Sequence, residues 1–327
     1  MENYLITGGT GSFGKAYIKQ LLERPSVKRV VVYSRDEMKQ WEMFQDYRDP
    51  RIRFFIGDVR DPDRLRMALK GIDVVIHAAA MKIVETAEYN PFECVKTNIL
   101  GAMNIVDACL SANVKRVVAL STDKASSPSN LYGATKLASD KIFTAANAYS
   151  GEKDCKFSVV RYGNVIGSRG SVVRLYSQLR KQNTGELPVT DLRMTRFVIT
   201  LSEAVNFVNY ALGEMVGGEV FVKKIPSIKI EDIARAFGDN FKLRIVGIRP
   251  GEKLHEEMIA NSEIFLTREF VDHFRIYSPA SGSENSSFVG DQISNADFRY
   301  SSDLNDSWLS SSEFRLILER ESILQNQ

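Results

Sequence analysis

Leu5-Ile6-Thr7-Gly8-Gly9-Thr10-Gly11-Ser12-Phe13-Gly14 is the stretch that decides the fold. A short apolar run enters it and an amphipathic segment, Ser12–Leu22, leaves it, so a strand passes through a glycine turn into a helix. Gly8, Gly11 and Gly14 stand in a G-x-x-G-x-x-G frame. Glycine permits positive φ and lets backbone N–H groups approach a pyrophosphate, which also gains from the amino end of the helix. The turn is expected to hold a dinucleotide through Gly8, Thr10, Gly11, Ser12, Phe13 and Gly14.

Outward from this turn, apolar or β-branched runs recur at residues 4–6, 30–33, 53–56, 74–76, 117–120 and 157–160. Helix-length segments at 36–47, 91–112 and 128–150 lie between them. That alternation predicts an α/β chain with a doubly wound parallel sheet and a smaller C-terminal substrate-binding domain over the sheet's carboxyl edge, where ligands bind. The expected division is a dinucleotide-binding domain at 1–164, with a return segment near 191–222, a mainly substrate-binding part at 165–262, and an extension at 263–327. Residues 278–291, rich in Ser, Gly and Asn, read as a loop or tail.

The chain has 327 residues, 44% hydrophobic and 26% charged, enough to bury a sizeable core. A formal charge of +2 leaves no basic field for a nucleic acid or an anionic membrane. Cys94, Cys109 and Cys155 are odd in number and lack metal-ligand spacing, so no metal is expected and a reducing cytoplasm is the natural setting. The first residues lack the basic and apolar regions of a signal peptide, and no 18-residue apolar run occurs. They are expected to belong to the fold.

Where an NAD enzyme carries a carboxylate for the ribose 2′-hydroxyl, the second strand ends in Tyr33-Ser34-Arg35-Asp36-Glu37-Met38-Lys39. Ser34, Arg35 and Lys39 suit a 2′-phosphate, which favours NADP, while Asp36 keeps NAD as the alternative. Asp58 and Val59, after the third strand, fit the adenine. Further on, Tyr132 and Lys136 are one helical turn apart on a shared face. A cation beside a tyrosine lowers its pKa, so the phenolate can take an alcohol proton as a hydride leaves.

The Tyr-x-x-x-Lys pair, the glycine loop and the region of Asn98 together resemble the extended short-chain dehydrogenase/reductase superfamily. Closer likeness runs through 77–82, which includes Ala78, Ala80 and Lys82, then 88–94, 121–125, 130–136, 161–171, 193–197 and 248–256. These segments resemble the inverting UDP-N-acetylglucosamine 4,6-dehydratase family of pseudaminic acid biosynthesis. The resemblance spans residue 4 to about 260 and returns faintly near Tyr300-Ser301-Ser302 and Trp308-Leu309.

It implies an NADP-dependent enzyme in which Tyr132, with Lys136 and Thr122 beside it, takes the proton of the 4-hydroxyl while NADP⁺ takes the hydride from carbon 4. Lys124, with a pKa lowered by partial desolvation, removes the carbon 5 proton, and a protonated Asp123 serves the departing 6-hydroxyl. It assigns Lys82, Asn164, Val172, Thr190, Arg196, Arg249 and Glu252 to the UDP-sugar, and implies a homo-oligomer built on the long helices. The chain departs from the family at Ile83 and Glu85, where a polar residue and a proline are usual, at Arg174, and at Val198. Rival readings are a retaining 4,6-dehydratase or a 4-epimerase of another nucleotide sugar, and, from another class, a non-catalytic NADP sensor.

Overall fold

The computed structural model describes residues 1–151, 154–278 and 288–324. Strand and helix alternate as the apolar runs predict: β1 (Glu2–Thr7), α1 (Ser12–Leu22), β2 (Val27–Ser34), α2 (Glu37–Asp46), β3 (Ile52–Ile56), α3 (Pro62–Ala68) and β4 (Val74–His77). After α4 (Val84–Tyr89) comes a helix in three parts: α5 (Pro91–Val95), a π-helical turn (Lys96–Leu100) and α6 (Gly101–Ser111). The sequence periodicity reads this as one regular helix. The extra residue of the π turn turns Asn98 inward, where its amide binds Met81 and Thr135.

The centre of the fold follows with β5 (Arg116–Leu120), α7 (Leu131–Ala145), β6 (Lys156–Arg161) and β7 (Asn164–Val165). Beyond it lie α8 (Val172–Lys181), β8 (Glu186–Val189), β9 (Thr195–Ile199), α9 (Leu201–Glu214), β10 (Val220–Lys223), β11 (Ser227–Lys229), α10 (Ile230–Arg235) and β12 (Lys242–Ile245). The chain closes with β13 (Glu257–Ile259), β14 (Thr267–Glu269), β15 (His273–Ile276), β16 (Asp291–Gln292), β17 (Tyr300–Ser301) and α11 (Ser311–Arg320).

The main sheet runs β16-β14-β15-β10-β6-β5-β4-β1-β2-β3. From β3 to β10 every pairing is parallel, and β15, β14 and β16 add antiparallel strands at one edge. The strand order reverses between β1 and β4, which opens a crevice at their carboxyl ends. Fully buried Leu5, Ile6, Val30, Val74, Val117 and Val159 fill the core around it, and strands covered on both faces read as continuous apolar runs.

A second core, built on Tyr176, Met194, Phe237, Phe314 and Leu318, lies under a cap made of short sheets, β11-β9-β7 and β12-β8. Residues after 262, expected as an extension, enter both layers: β14 and β15 join the main sheet, and α11 fills the cap core. Their strands are too short and too charged, as in Thr267-Arg268-Glu269, to show an apolar pattern. Of the segment 278–291 read as a loop, 279–287 lies outside the described residues; Asp291 pairs in the sheet through β16.

Candidate active site

Between sheet and cap lies a cleft of about 930 Å³. At its floor Gly8, with φ of +65°, is packed so that a Cβ would meet the backbone of Ala78 at 3.0 Å. Gly11 stands at the N-cap of α1 with no side-chain cap, so the first N–H groups of α1 face the cleft beside Thr10, Ser12 and Phe13. A diphosphate fits this cradle. Ser34 shares a 2.8 Å hydrogen bond with Thr10. Arg35 is more than half exposed, 3.6 Å from Asp58, whose carboxylate also accepts from Arg60. Asp36 caps α2 by accepting from the Lys39 backbone N–H and pairs with the Lys39 ammonium.

The next wall is α7. Asn130 caps it by accepting from Gly133 N–H, and a Cβ on Gly133 would lie 2.2 Å from the Lys124 carbonyl oxygen. Glycine therefore lets the start of α7 rest directly on the Asp123–Ala125 turn that ends β5. This contact brings Tyr132 and Lys136 to the Thr122-Asp123-Lys124 corner. Thr122 donates to Asp123 Oδ1 at 2.9 Å and is in hydrogen-bond contact with the Tyr132 phenol.

Electrostatics at this corner agree with one expectation and reverse two. Burial pushes the Asp123 carboxyl above its ordinary range against the pull of Lys124, so it is disposed to hold a proton. Tyr132, by contrast, is pushed up to about 12, because burial outweighs the help of Lys124 and Thr122. Lys136, expected to be the cation lowering it, donates to the Leu120 carbonyl at 2.8 Å, and its own pKa is lowered by burial despite Asp140.

The second reversal is at Lys124. Burial acts to lower its pKa, but Asp123 at 3.1 Å and Glu256 at 2.9 Å together outweigh it and raise the value. Glu256 stands just before β13, buried, and is also 3.8 Å from Arg196 Nε. The sequence reading gave it no role. It closes the 248–256 segment, of which only Arg249 and Glu252 were read for chemistry.

On the cap side, Lys82, Asn164, Val172, Thr190, Arg196, Arg249 and Glu252 all line the cleft. Lys82 is exposed on the cleft wall, and its pKa is lowered by partial desolvation, then by Arg169 and Arg174. Arg196, expected to bind the UDP-sugar, is buried, and its guanidinium donates to the carbonyls of Thr195 and Leu254. Arg249 clasps Glu252 and reaches Glu85 at 2.9 Å. The departure at Glu85 thus becomes an ion pair between α4 and the cap.

A doubly wound sheet with a glycine loop, a Tyr-x-x-x-Lys helix and a cap over one cleft defines an extended short-chain dehydrogenase/reductase. The polysaccharide biosynthesis protein family matches residues 4–278. A UDP-N-acetylglucosamine 4,6-dehydratase (inverting) from Campylobacter jejuni is 53% identical over 321 residues, covering 95% of this chain and 96% of that one. A UDP-glucose 4-epimerase from Rickettsia canadensis is 39% identical and covers 84% and 82%. Among solved structures, Pen from Bacillus thuringiensis superposes with a TM-score of 0.89 at 38% identity, covering 98% of each chain. The chain belongs to the polysaccharide biosynthesis protein family and, within the extended short-chain dehydrogenases/reductases, to the inverting UDP-N-acetylglucosamine 4,6-dehydratases, and it is an enzyme of that lyase class.

Proposed function

We propose that the chain converts UDP-N-acetylglucosamine to UDP-2-acetamido-2,6-dideoxy-β-L-arabino-hex-4-ulose, with NADP as its cofactor, on the route to pseudaminic acid. The observation that carries this reading is the buried corner where Asp123 and Lys124 adjoin Tyr132. An oxidation alone needs one base; this corner adds a carboxyl whose pKa burial raises and a largely buried lysine. A bound nicotinamide supplies acceptance of a hydride at carbon 4 and its return at carbon 6.

The protein's own residues move the protons. Tyr132 takes the proton of the 4-hydroxyl, and the resulting ketone acidifies the hydrogen on carbon 5. Lys124 is placed to take that hydrogen, and Asp123, held protonated by burial, gives its proton to the 6-hydroxyl as water leaves. The cationic Arg35, Lys39 and Lys82 suit the phosphates of cofactor and substrate. Asp36 is engaged with α2 and Lys39, which supports NADP over NAD.

Exposed Phe92, Leu100 and Met103 on the α5–α6 helix support a homo-oligomer packed through it. Buried free Cys94, Cys109 and Cys155 suit a reducing cytoplasm. No helix among the described residues is long and apolar enough to cross a membrane.

The test is incubation of the purified protein with UDP-N-acetylglucosamine and NADP⁺ in deuterated water, followed by proton NMR and mass spectrometry. A 6-deoxy-4-keto sugar with deuterium and inverted configuration at carbon 5 is the expected product. Retained configuration overturns the inverting reading. Absence of the keto sugar with this and other UDP-sugars overturns the dehydratase.

A further inference from the structure

Lys124 cannot act as a base while it carries a proton, and its surroundings hold that proton in place. Asp123 and Glu256 flank its ammonium at 3.1 and 2.9 Å. The two carboxyls differ. Burial drives Asp123 up, toward its acid form. Burial acts the same way on Glu256, but Lys124, Arg196 and Lys253 outweigh it and keep it ionised. Glu256 is therefore the flanking group able to accept a proton from Lys124.

Two geometric facts describe its setting. Its position is fixed from the backbone: its N–H donates to Ser302 Oγ at 2.9 Å, and its carbonyl accepts from Ser302 N–H at 2.8 Å. Its Oε2, like Oδ2 of Asp123, is buried with no hydrogen-bond partner among the described residues. A carboxylate oxygen left bare in a protein interior is costly as an anion and far less so as part of a neutral acid. The Lys124 side chain keeps 24% of its surface open, whereas that of Glu256 keeps 3%. The remaining water over this ion pair therefore lies on the lysine side, facing the cleft.

We propose that Glu256 is the positioning residue and proton acceptor that turns Lys124 into the carbon 5 base. When the sugar covers Lys124, loss of that water disfavours both charges of the pair. The Nζ–H bond breaks, an O–H bond forms on Glu256 Oε1, and an ammonium and a carboxylate become an amine and a carboxylic acid. The amine then takes the carbon 5 proton. The charged groups facing Glu256 are Lys124, Arg196 and Lys253, with Asp123 across Lys124. This inference rests on the dehydratase reading.

The test compares wild type, Glu256→Gln and Glu256→Asp as full-length enzyme with cofactor and UDP-N-acetylglucosamine. Gln keeps the size and an acceptor oxygen but takes no proton; Asp keeps the carboxylate on a shorter stem. The expected result is a fall in kcat for Glu256→Gln of roughly 10²-fold or more, with KM and melting temperature near wild type. Reduced-nicotinamide absorbance should still appear on mixing with substrate, while deuterium uptake at carbon 5 fails. Glu256→Asp should recover part of kcat, with an acid limb in its pH profile that Glu256→Gln lacks.

Equal rates and pH profiles for wild type and Glu256→Gln overturn the proposal. So does a Gln variant that unfolds together with an Asp variant no better than Lys124→Ala. If wild type itself makes no keto sugar, the dehydratase reading falls and this inference with it.

Discussion

The two walls of the cleft are built on different principles. The proposed cofactor wall is backbone: a glycine turn and a helix end mounted on parallel strands whose central side chains are buried. The substrate wall is side chain: Lys82, Arg249, Glu252 and Glu85 reach in from loops and short elements, and ion pairs tie Glu252 and Glu85 to Arg249. Backbone geometry is set once the fold forms, so the first wall is rigid and general. Side-chain pairing can be exchanged residue by residue, so on the proposed function the second carries the choice of sugar.

The sharpest way to break the comparison is at the corner the walls share. Tyr132→Phe should lower turnover by roughly 10²–10⁴-fold while cofactor affinity, read by fluorescence titration, stays within a few-fold. A loss of cofactor binding of the same size would show that the phenol belongs to the cofactor wall rather than to the chemistry.

Acid should separate the walls next. His77 ends β4, fully buried against Thr7 and Phe143, and burial, aided by Lys136, lowers its pKa to about 3 from an ordinary 6.5. A depressed histidine is held neutral in the fold, so its contribution is complete above pH 6.5 and is lost as pH falls toward 3. With each pH unit worth about 1.4 kcal/mol, urea unfolding should show a loss of about 2 kcal/mol by pH 5 from this group. His77→Gln should flatten that slope, whatever its own stability. Next to Thr190 of the substrate wall, Asp191 sits at about 2 from an ordinary 3.8 because of Arg193, so its contribution is complete above 3.8 and is lost as pH falls through about 2.

A smaller effect should appear at Arg35→Ala: roughly 10- to 100-fold weaker NADP binding with NAD binding unchanged, the loss of about one charged hydrogen bond of 1.5–3 kcal/mol. Equal losses for both cofactors would favour NAD, with Asp36 on the ribose 2′-hydroxyl. The smallest belongs to Glu85→Gln. Its pair with Arg249 is exposed on both sides and should contribute less than about 1 kcal/mol to stability. KM for the UDP-sugar should nevertheless shift by a few-fold, because Arg249 is released toward the substrate.

This contrast also explains what could be read from the sequence. The glycine turn, the strands of the parallel sheet and the Tyr132–Lys136 pair are local patterns, and each lies where its spacing predicts. The expected reach of α1, Ser12–Leu22, is the observed one. What escaped depends on residues far apart in the chain. Glu256 meets Lys124 across a separation that no periodicity records, and its charge, added to that of Asp123, reverses the shift expected of an isolated, desolvated lysine. The π turn at Lys96–Leu100 escaped for the opposite reason: it adds one residue inside an unbroken helical pattern. The strands after 262 were hidden because a four-residue strand bearing Arg275 looks like any polar turn.

Those last residues also decide how the molecule can move. The chain does not finish one layer before starting the other. It leaves the sheet for β7, comes back through α9 and β10, departs again for β11, returns at β14 and β15, and ends with α11 wedged in the cap core. Two bodies stitched together in this way cannot swing apart as on a single pivot, because every thread would have to stretch at once. Access to the cleft is therefore governed by short spans such as the one carrying Arg249 and Glu252, and a shortened carboxyl end would slacken both layers together.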